Sequence, residues 1–188
     1  GTPAQTAPVT PATNLPRRLV CLWRGLPGTD TTRVLIVVPM PNGVTACYAA
    51  DRNLYLLDPA GALRKKMMID LADIPSGPCA WYPGVFLAGK LVLPLYSPGS
   101  LNSSPELMVS VDLTDDYRIA LLNQCQAGIF SPLSGSADGT AFGFGSHDTN
   151  YHFCSSNKGK ELWQVKTGVS CASRGRFSSN AIYVAGTD

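Results

Sequence analysis

The sequence has few charged residues and few histidines, and it lacks a Cys-x-x-Cys pair, adjacent cysteines and any long apolar run. Charged residues make up 15% of the chain, which has 2 histidines and 6 cysteines. Structural zinc sites need closely spaced Cys and His ligands, so the sequence argues against one. No apolar run approaches the roughly 18 residues that a membrane span requires. We therefore expect neither a zinc site nor a membrane-spanning helix.

The formal net charge of +2 is nearly balanced. Proteins that bind nucleic acid concentrate their basic residues in one patch or along one element. The basic clusters of this chain instead lie far apart in the sequence, at Arg17 and Arg18, at 64–66, at Lys158 and Lys160, and at Arg174 and Arg176. We therefore expect no nucleic-acid partner.

The composition indicates an all-β chain with many turns. Hydrophobic residues account for 45% of the sequence, and there are 18 glycines and 15 prolines, which suit turns better than helices. Helical periodicity is visible only at 63–72, which we interpret as an outer strand followed by a loop. No positively charged segment followed by an apolar one opens the chain. The sequence carries no signal that identifies a cellular compartment. We favour a cytoplasmic location over secretion.

One strand pattern recurs along the chain. An apolar strand closed by an acidic or polar residue occurs four times, at Val44–Asp51, Lys90–Ser97, Thr140–Asp148 and Ala181–Asp188. A second strand follows three of them, at Leu54–Asp58, Leu107–Asp112 and Tyr151–Ser155, and then a turn and a third strand. Repeats at intervals of about 40–50 residues are typical of propellers and solenoids. We interpret the strand closed by the polar residue as the inner strand of a blade.

Two segments carry a family resemblance. The strand end Phe144-Gly-Ser-His-Asp148 and the run Gly159-Lys-Glu-Leu-Trp-Gln-Val-Lys-Thr-Gly168 resemble the pyrroloquinoline-quinone-like repeat of β-propeller proteins. This repeat occurs in quinoprotein dehydrogenases, in outer-membrane assembly scaffolds and in the C-terminal propeller of aminoadipate-semialdehyde-dehydrogenase-like acyl-CoA synthetases. Residues 125–188 look most like the last of these. The resemblance implies antiparallel four-stranded blades.

We predict a β-propeller over residues 15–188, preceded by a Thr-, Pro- and Ala-rich linker at 1–14. One early strand at Leu19–Leu26, three sets of four strands and a final pair make nearly four blades. Either the chain closes a four-bladed ring with 19–26 as a clasp, or it is part of a seven- or eight-bladed ring. In the second case missing sequence or a homodimer would complete the propeller, because open strand edges invite pairing with another chain.

We expect the cysteines to be buried free thiols. Cys47 and Cys154 fall on predicted strands, where a free thiol behaves as a small hydrophobe. A disulfide between Cys125 and Cys171 is the alternative, and Asn102 would be a glycan acceptor in a secreted chain.

The histidines favour structural roles. Ser146, His147 and Asp148 are adjacent on a strand, where neighbouring side chains point to opposite faces, so they cannot form a catalytic relay. We expect a hydrogen-bonded corner there instead. His152 alternates with aromatic residues and is interpreted as a packed or edge histidine.

The sequence offers no set of residues for catalysis. Catalytic quinoproteins carry adjacent cysteines, a calcium site, a catalytic Asp and a tryptophan beneath the quinone, and the resemblance here extends to the repeat alone. We therefore expect no enzyme activity and no cofactor. Recognition would fall to the loops at 73–83 and 96–105, with Trp81, Tyr82 and Tyr96 as the candidate interaction surface. The alternative is that Trp81 and Tyr82 fill the gap between blades.

The favoured function is a non-catalytic scaffold that binds a protein partner or organises a fused domain. One alternative is a quinoprotein-type dehydrogenase that binds pyrroloquinoline quinone and calcium. Another is an extracellular adhesive or glycan-binding propeller, which paired cysteines and a glycan on Asn102 would favour.

Overall fold

The structure, a computed structural model, describes residues 32–70, 82–95, 106–125, 128–168, 175–177 and 182–183. These residues form fourteen β-strands and one short 3-10 helix, Pro41–Gly43, and they contain no α-helix. The all-β prediction is confirmed. The predicted linker at 1–14 and the predicted strand at 19–26 lie outside the described residues.

The strands form three antiparallel sheets of four strands and one sheet of two. The first sheet contains β1 (Val34–Pro39), β2 (Thr45–Ala49), β3 (Asn53–Leu57) and β4 (Leu63–Met68). The second contains β5 (Val85–Leu87), β6 (Lys90–Leu95), β7 (Glu106–Asp112) and β8 (Arg118–Cys125). The third contains β9 (Ser134–Gly135), β10 (Ala141–Gly145), β11 (Asn150–Ser155) and β12 (Glu161–Lys166). The fourth contains β13 (Arg176–Phe177) and β14 (Ile182–Tyr183).

Each four-stranded sheet is a meander in which hydrogen-bonded neighbours follow one another along the chain. The predicted strands at 44–51, 90–97 and 140–148 correspond to β2, β6 and β10, and the strands predicted after them correspond to β3, β7 and β11. The segment at 63–72 begins with β4, as expected for an outer strand. The hairpins of the repeat are therefore confirmed.

The prediction of which strand lies innermost in each sheet is wrong. The first strands β1, β5, β9 and β13 contact one another from sheet to sheet, so they lie at the centre, and β2, β6 and β10 are second in order. Gly135 in β9 fits this crowded centre, because an added Cβ would lie 2.2 Å from Leu87 Cδ2 in β5. The sequence signal of β9 is weak because the strand has only two residues.

The middle strands are buried on both faces because the sheets pack against one another. All residues of β3 and β10 are buried, whereas all residues of β12 are exposed. Two apolar clusters fill the spaces between sheets. One joins Ile36 and Tyr48 of the first sheet to Leu93 of the second, and the other joins Met108 of the second sheet to Phe142 of the third. The burial pattern therefore runs from a packed centre to an exposed outer strand.

Cys47 and Cys154 are buried free thiols, as predicted. Burial, together with the charge of Glu161, raises the pKa of the Cys154 thiol to about 12. The alternative disulfide is not tested, because Cys171 lies outside the described residues.

Candidate functional site

The repeat places an acidic corner at the hairpin between the second and third strands of a sheet. In the first sheet, Asp51 accepts a hydrogen bond from the backbone N–H of Asn53 at 3.1 Å. In the third sheet, Asp148 accepts one from the backbone N–H of Asn150 at 3.0 Å. Such bonds are typical of Asx turns, which explains why an acidic residue closes the strand in the sequence repeat.

The residue between each Asp and Asn adopts the left-handed conformation. Arg52 has a φ of 65° and Thr149 a φ of 62°. This conformation is uncommon for residues other than glycine, and a β-branched residue such as Thr149 adopts it least readily. The two corners therefore share their backbone geometry as well as their hydrogen bonds.

A tyrosine completes the corner of the first sheet. The hydroxyl of Tyr55 donates a 2.5 Å hydrogen bond to Asp51 Oδ2, and Lys66 Nζ lies 3.9 Å from the same oxygen. Burial alone would raise the pKa of Asp51, but the hydrogen bonds from Tyr55 and Asn53 and the charge of Lys66 lower it. This corner stabilises the ionised carboxylate.

A histidine occupies the corresponding place in the third sheet. His152 Nε2 lies 3.3 Å from Asp148 Oδ2 and 3.2 Å from Ser146 Oγ, and His152 Nδ1 lies 2.6 Å from Glu161 Oε2. The Ser146 hydroxyl also donates a hydrogen bond to Asp148. The His152 ring stacks on Phe144 with 5.1 Å between ring centroids. This His152 network joins one buried ring to two carboxylates and a hydroxyl.

The electrostatics of the His152 network favour an ionised Asp148. Burial alone would raise the pKa of its carboxyl, but hydrogen bonds from Ser146 and Asn150 and the charge of His152 lower it to about 2. Asp148 therefore carries its negative charge at neutral pH.

The corner predicted at Ser146, His147 and Asp148 exists, but its histidine is a different one. His147 points away and lies against the ring of Phe130, with 4.6 Å between centroids. His152 is buried, as expected for a packed histidine, and it also bonds Ser146 and Asp148 across the hairpin. The four-residue spacing between Asp148 and His152, which Asp51 and Tyr55 repeat, is the signal that could have revealed this contact.

The contacts from Ser146 to His152 and from His152 to Glu161 resemble those of a catalytic triad, with a nucleophile, a base and an orienting acid. A nucleophile must also meet its substrate, and Ser146 is completely buried, with an exposed fraction of 0%. Its hydroxyl is already hydrogen-bonded to Asp148 and lies beside the His152 ring. The described geometry therefore serves to tie strands together and leaves no room for a substrate at Ser146 Oγ.

An open cleft lies above this network. It has a volume of about 440 Å³ and is lined by the end of β8 and by the β11–β12 hairpin. Asp148, His152 and Glu161 form one side, and the remaining polar lining residues are Asn123, Gln124, Lys158 and Lys160. The cleft thus presents two carboxylates, two ammonium groups and two amides within one space.

A half-buried carboxyl, that of Glu106, joins the second and third sheets. Glu106 Oε2, at the start of β7, accepts a 2.5 Å hydrogen bond from the backbone N–H of Ile129. Burial raises the pKa of Glu106 to about 7, with this hydrogen bond acting in the opposite direction. Gly128 packs beside His147 in the same region, which leaves little space around the carboxyl.

Of the three candidate interaction residues, Tyr82 alone lies within the described residues; Trp81 and Tyr96 lie outside them. The Tyr82 ring meets Phe130 edge to face, with centroids 6.5 Å apart, and it packs on the apolar cluster between the second and third sheets. Burial and the charge of Glu106 raise its pKa. Tyr82 therefore occupies the place that the alternative interpretation gave it, in the gap between two sheets.

Two features are absent from the described part of the chain. It contains no cluster of three or more His, Cys, Asp or Glu side chains suited to a metal ion. Among the same residues, no helix has the length and apolar character needed to cross a membrane.

Solved structures decide the fold. BamB from Moraxella catarrhalis, a protein with pyrroloquinoline-quinone-like propeller repeats, is similar with a TM-score of 0.58 and 15% identity, over 81% of this chain and 44% of BamB. The fold is a β-propeller. The computationally designed protein Ika4 matches with a TM-score of 0.57 and 14% identity, over 86% of this chain and 89% of Ika4. The designed protein Ika8 matches with a TM-score of 0.58 and 15% identity, over 86% of this chain and 45% of Ika8.

These likenesses show the propeller fold alone, because the identities are low. The chain spans less than half the length of BamB and of Ika8 but most of Ika4. No family model and no curated protein matches the sequence. The sheets described above are therefore propeller blades, and function has to be argued from the cleft.

Proposed function

We propose that this chain is a non-catalytic β-propeller that binds a protein partner, or holds a neighbouring domain, through the cleft between its second and third blades. The observation that carries the proposal is an open polar cleft above a serine hydroxyl that is completely buried. The cleft offers charges of both signs to a partner, while Ser146 lies buried beneath it with its hydroxyl engaged.

The lining of the cleft suits the side chains of another protein. Lys158 and Lys160 precede Glu161 in the chain, and Asn123 and Gln124 come from β8, so neighbouring positions of the lining differ in charge and in hydrogen-bonding capacity. Complementary charges of this kind give a protein interface its specificity more than its raw affinity. The neighbouring strands hold the backbone of these residues in place, which reduces the entropy cost of binding.

The blade packing supports a scaffold with little internal motion. Gly159, between the two lysines, approaches β8 so closely that an added Cβ would lie 2.2 Å from the carbonyl oxygen of Leu122. The β11–β12 turn is therefore held against the neighbouring blade, and the cleft keeps its shape when a partner arrives. Rigid elements of this type are suited to positioning a bound domain.

Site-specific photo-crosslinking tests the proposal. A photoreactive residue at Lys158 or Lys160 should join the chain to one discrete partner in extracts of the source cells. The same residue at Lys65, which is exposed on the outer strand of the first blade, should not. The purified partner should then bind the unmodified chain and lose affinity at least about tenfold for the variant Lys158→Glu/Lys160→Glu, because charge complementarity is reversed.

A second measurement separates this function from a quinoprotein activity. The purified chain is titrated with pyrroloquinoline quinone and calcium and assayed for dye reduction with a panel of alcohols. We expect no stoichiometric binding and no turnover. Binding of both ligands at one equivalent, accompanied by dye reduction, would overturn the proposal, as would equal crosslinking from Lys65 and Lys158.

A further inference from the structure

The outer strand of the third blade, β12, is unusual in its exposure. It has one hydrogen-bonded neighbour, β11, among the described strands, and all six of its residues are exposed. The apolar residues Leu162, Trp163 and Val165 have exposed fractions of 53%, 41% and 50%. A strand with an open edge and apolar side chains is a template for pairing with another strand.

The outer strands of the other two complete blades are protected in different ways. In β4, the consecutive basic residues Arg64, Lys65 and Lys66 oppose pairing with an identical strand by charge repulsion. In β8, most residues are half-buried, and the Leu122 carbonyl lies directly beneath Gly159 of the next blade. Among the described outer strands of the complete blades, β12 alone has neither protection.

The register of β12 on β11 determines which face each side chain occupies. Trp163 lies opposite Phe153 and Val165 opposite Tyr151, so Trp163 and Val165 share one face. Gln164 lies opposite His152 and Lys166 opposite Asn150, which places both on the other face. Glu161, opposite Cys154, shares that second face, because the bulge at Leu162 shifts the alternation by one residue.

These positions make β12 complementary to itself. In an antiparallel pair with a two-fold axis perpendicular to the sheet, residues at equal distances on either side of the axis face each other. With the axis at Gln164, Trp163 of each copy faces Val165 of the other. The two Gln164 amides meet at the centre, where each can donate to and accept from the other. Lys166 of each copy faces the bulge that carries Glu161 of the other.

We propose that β12 is a homotypic docking strand, through which two copies of this chain join their third blades into one continuous antiparallel sheet. The two-fold arrangement covers both tryptophans with an apolar partner and sets opposite charges side by side at both ends. The interaction goes beyond the proposed function. Glu161 belongs to both surfaces, but the residues at the two-fold axis, Trp163, Gln164 and Val165, do not line the cleft, so substitutions there test the interaction separately.

The first test measures the solution mass of the full chain over a range of concentrations by light scattering or sedimentation. The monomer mass is 20.0 kDa, and the proposal predicts a reversible transition to twice that mass. A chain that stays monomeric at every accessible concentration would overturn it. So would a dimer whose stability is unaffected by both Gln164 variants described next.

Charge substitutions at the two-fold axis make the test specific. Gln164→Glu and Gln164→Lys each place two like charges face to face, so each variant alone should dimerise at least about tenfold more weakly than the natural chain. An equal mixture of the two variants should regain the dimer, as a heterodimer with an attractive pair at the centre. The matched control Lys65→Glu, on the outer strand of the first blade, should leave dimerisation unchanged.

Discussion

At the scale of single residues, two blades solve the same structural problem with different side chains. Asp51 is held by Tyr55, and Asp148 is held by His152, at the same spacing after the same kind of turn. The tyrosine satisfies its carboxylate with one hydroxyl. The histidine reaches further, because its second ring nitrogen bonds Glu161 on the outer strand.

The His152 network predicts a graded response to substitution. His152→Phe keeps a ring that can stack on Phe144 but leaves Ser146 and Asp148 without a ring nitrogen, so we expect a loss of about 1–3 kcal/mol in the free energy of unfolding. His152→Tyr should lose less, because the hydroxyl of a tyrosine holds the corresponding carboxylate in the first blade. Urea denaturation measures both. Equal losses for the two variants would show that ring volume, and not hydrogen bonding, determines stability here.

The sequence could predict the acidic corner but not its partner. The Asp residues after apolar strands are visible as turn formers, because Asx turns are local. The contact from His152 to Ser146 depends on the register of β10 on β11, which brings residues six positions apart together. The register between two strands cannot be read from a single sequence.

At the scale of elements, the turn between β11 and β12 shows how one glycine sets the distance between blades. Gly159 has a φ of 64°, and an added Cβ would lie 2.2 Å from the Leu122 carbonyl oxygen of β8. Gly168, after β12, has a φ of 78°, and no atom of the described residues beyond its chain neighbours lies within 4 Å of an added Cβ. The two glycines share a left-handed backbone and differ in their surroundings.

Alanine substitutions at these two glycines distinguish the cost of backbone strain from the cost of a steric clash. Gly168→Ala should cost about 1–2 kcal/mol in the free energy of unfolding, the penalty for placing a Cβ in a left-handed conformation. Gly159→Ala adds a clash with β8, so its total cost should exceed that of Gly168→Ala by about 1–3 kcal/mol. Urea denaturation curves of both variants give the comparison. A similar cost for both would mean that the turn can move away from β8 without loss.

Hairpins were predictable at this scale, whereas the short inner strands were not. Apolar runs next to turn residues identify β2, β3, β10 and β11 in the sequence. Both signals are local. β5 and β9 have three and two residues, too few for a periodic pattern, and they form because neighbouring blades converge on them.

At the scale of the whole molecule, Glu106 links blade packing to pH. Its carboxyl at the start of β7 bonds the backbone of Ile129 in the segment before β9, between the second and third blades. The titratable groups near it include Tyr82, whose own pKa its charge raises, His147, which packs on Gly128, and Cys125, which lies opposite Glu106 in β8. Its raised pKa therefore makes the stability of the assembled blades depend on pH.

The sign of that dependence follows from the pKa values. Burial raises the pKa of Glu106 from 4.5 to about 7, so between these values the folded chain holds a proton that the unfolded chain has released. Stability should therefore fall as pH rises through this interval and level off above it. Glu106→Gln should remove this contribution and raise the melting temperature at pH 8 by roughly 2–4 °C, the shift expected for about 1 kcal/mol in a chain of this size.

Melting curves at pH 5, 6, 7 and 8 check the prediction. The control Asp115→Asn changes an exposed carboxyl in the β7–β8 turn, which pairs with Arg118, and should leave the slope with pH unchanged. A Glu106→Gln chain with the same slope as the natural chain would place the pH dependence elsewhere.

The sequence by itself determined the all-β class, the repeat, the hairpins and the acidic turns, because each depends on residues close together in the chain. The tertiary structure alone decided which strands lie at the centre, that His152 completes the corner, and that Tyr82 fills a gap between blades. It also decided that Glu106 is half-buried between two blades and that a polar cleft opens beside β8. These features arise where separate blades meet. The packing of one blade on the next depends on residues far apart in the chain, so no local sequence pattern predicts it.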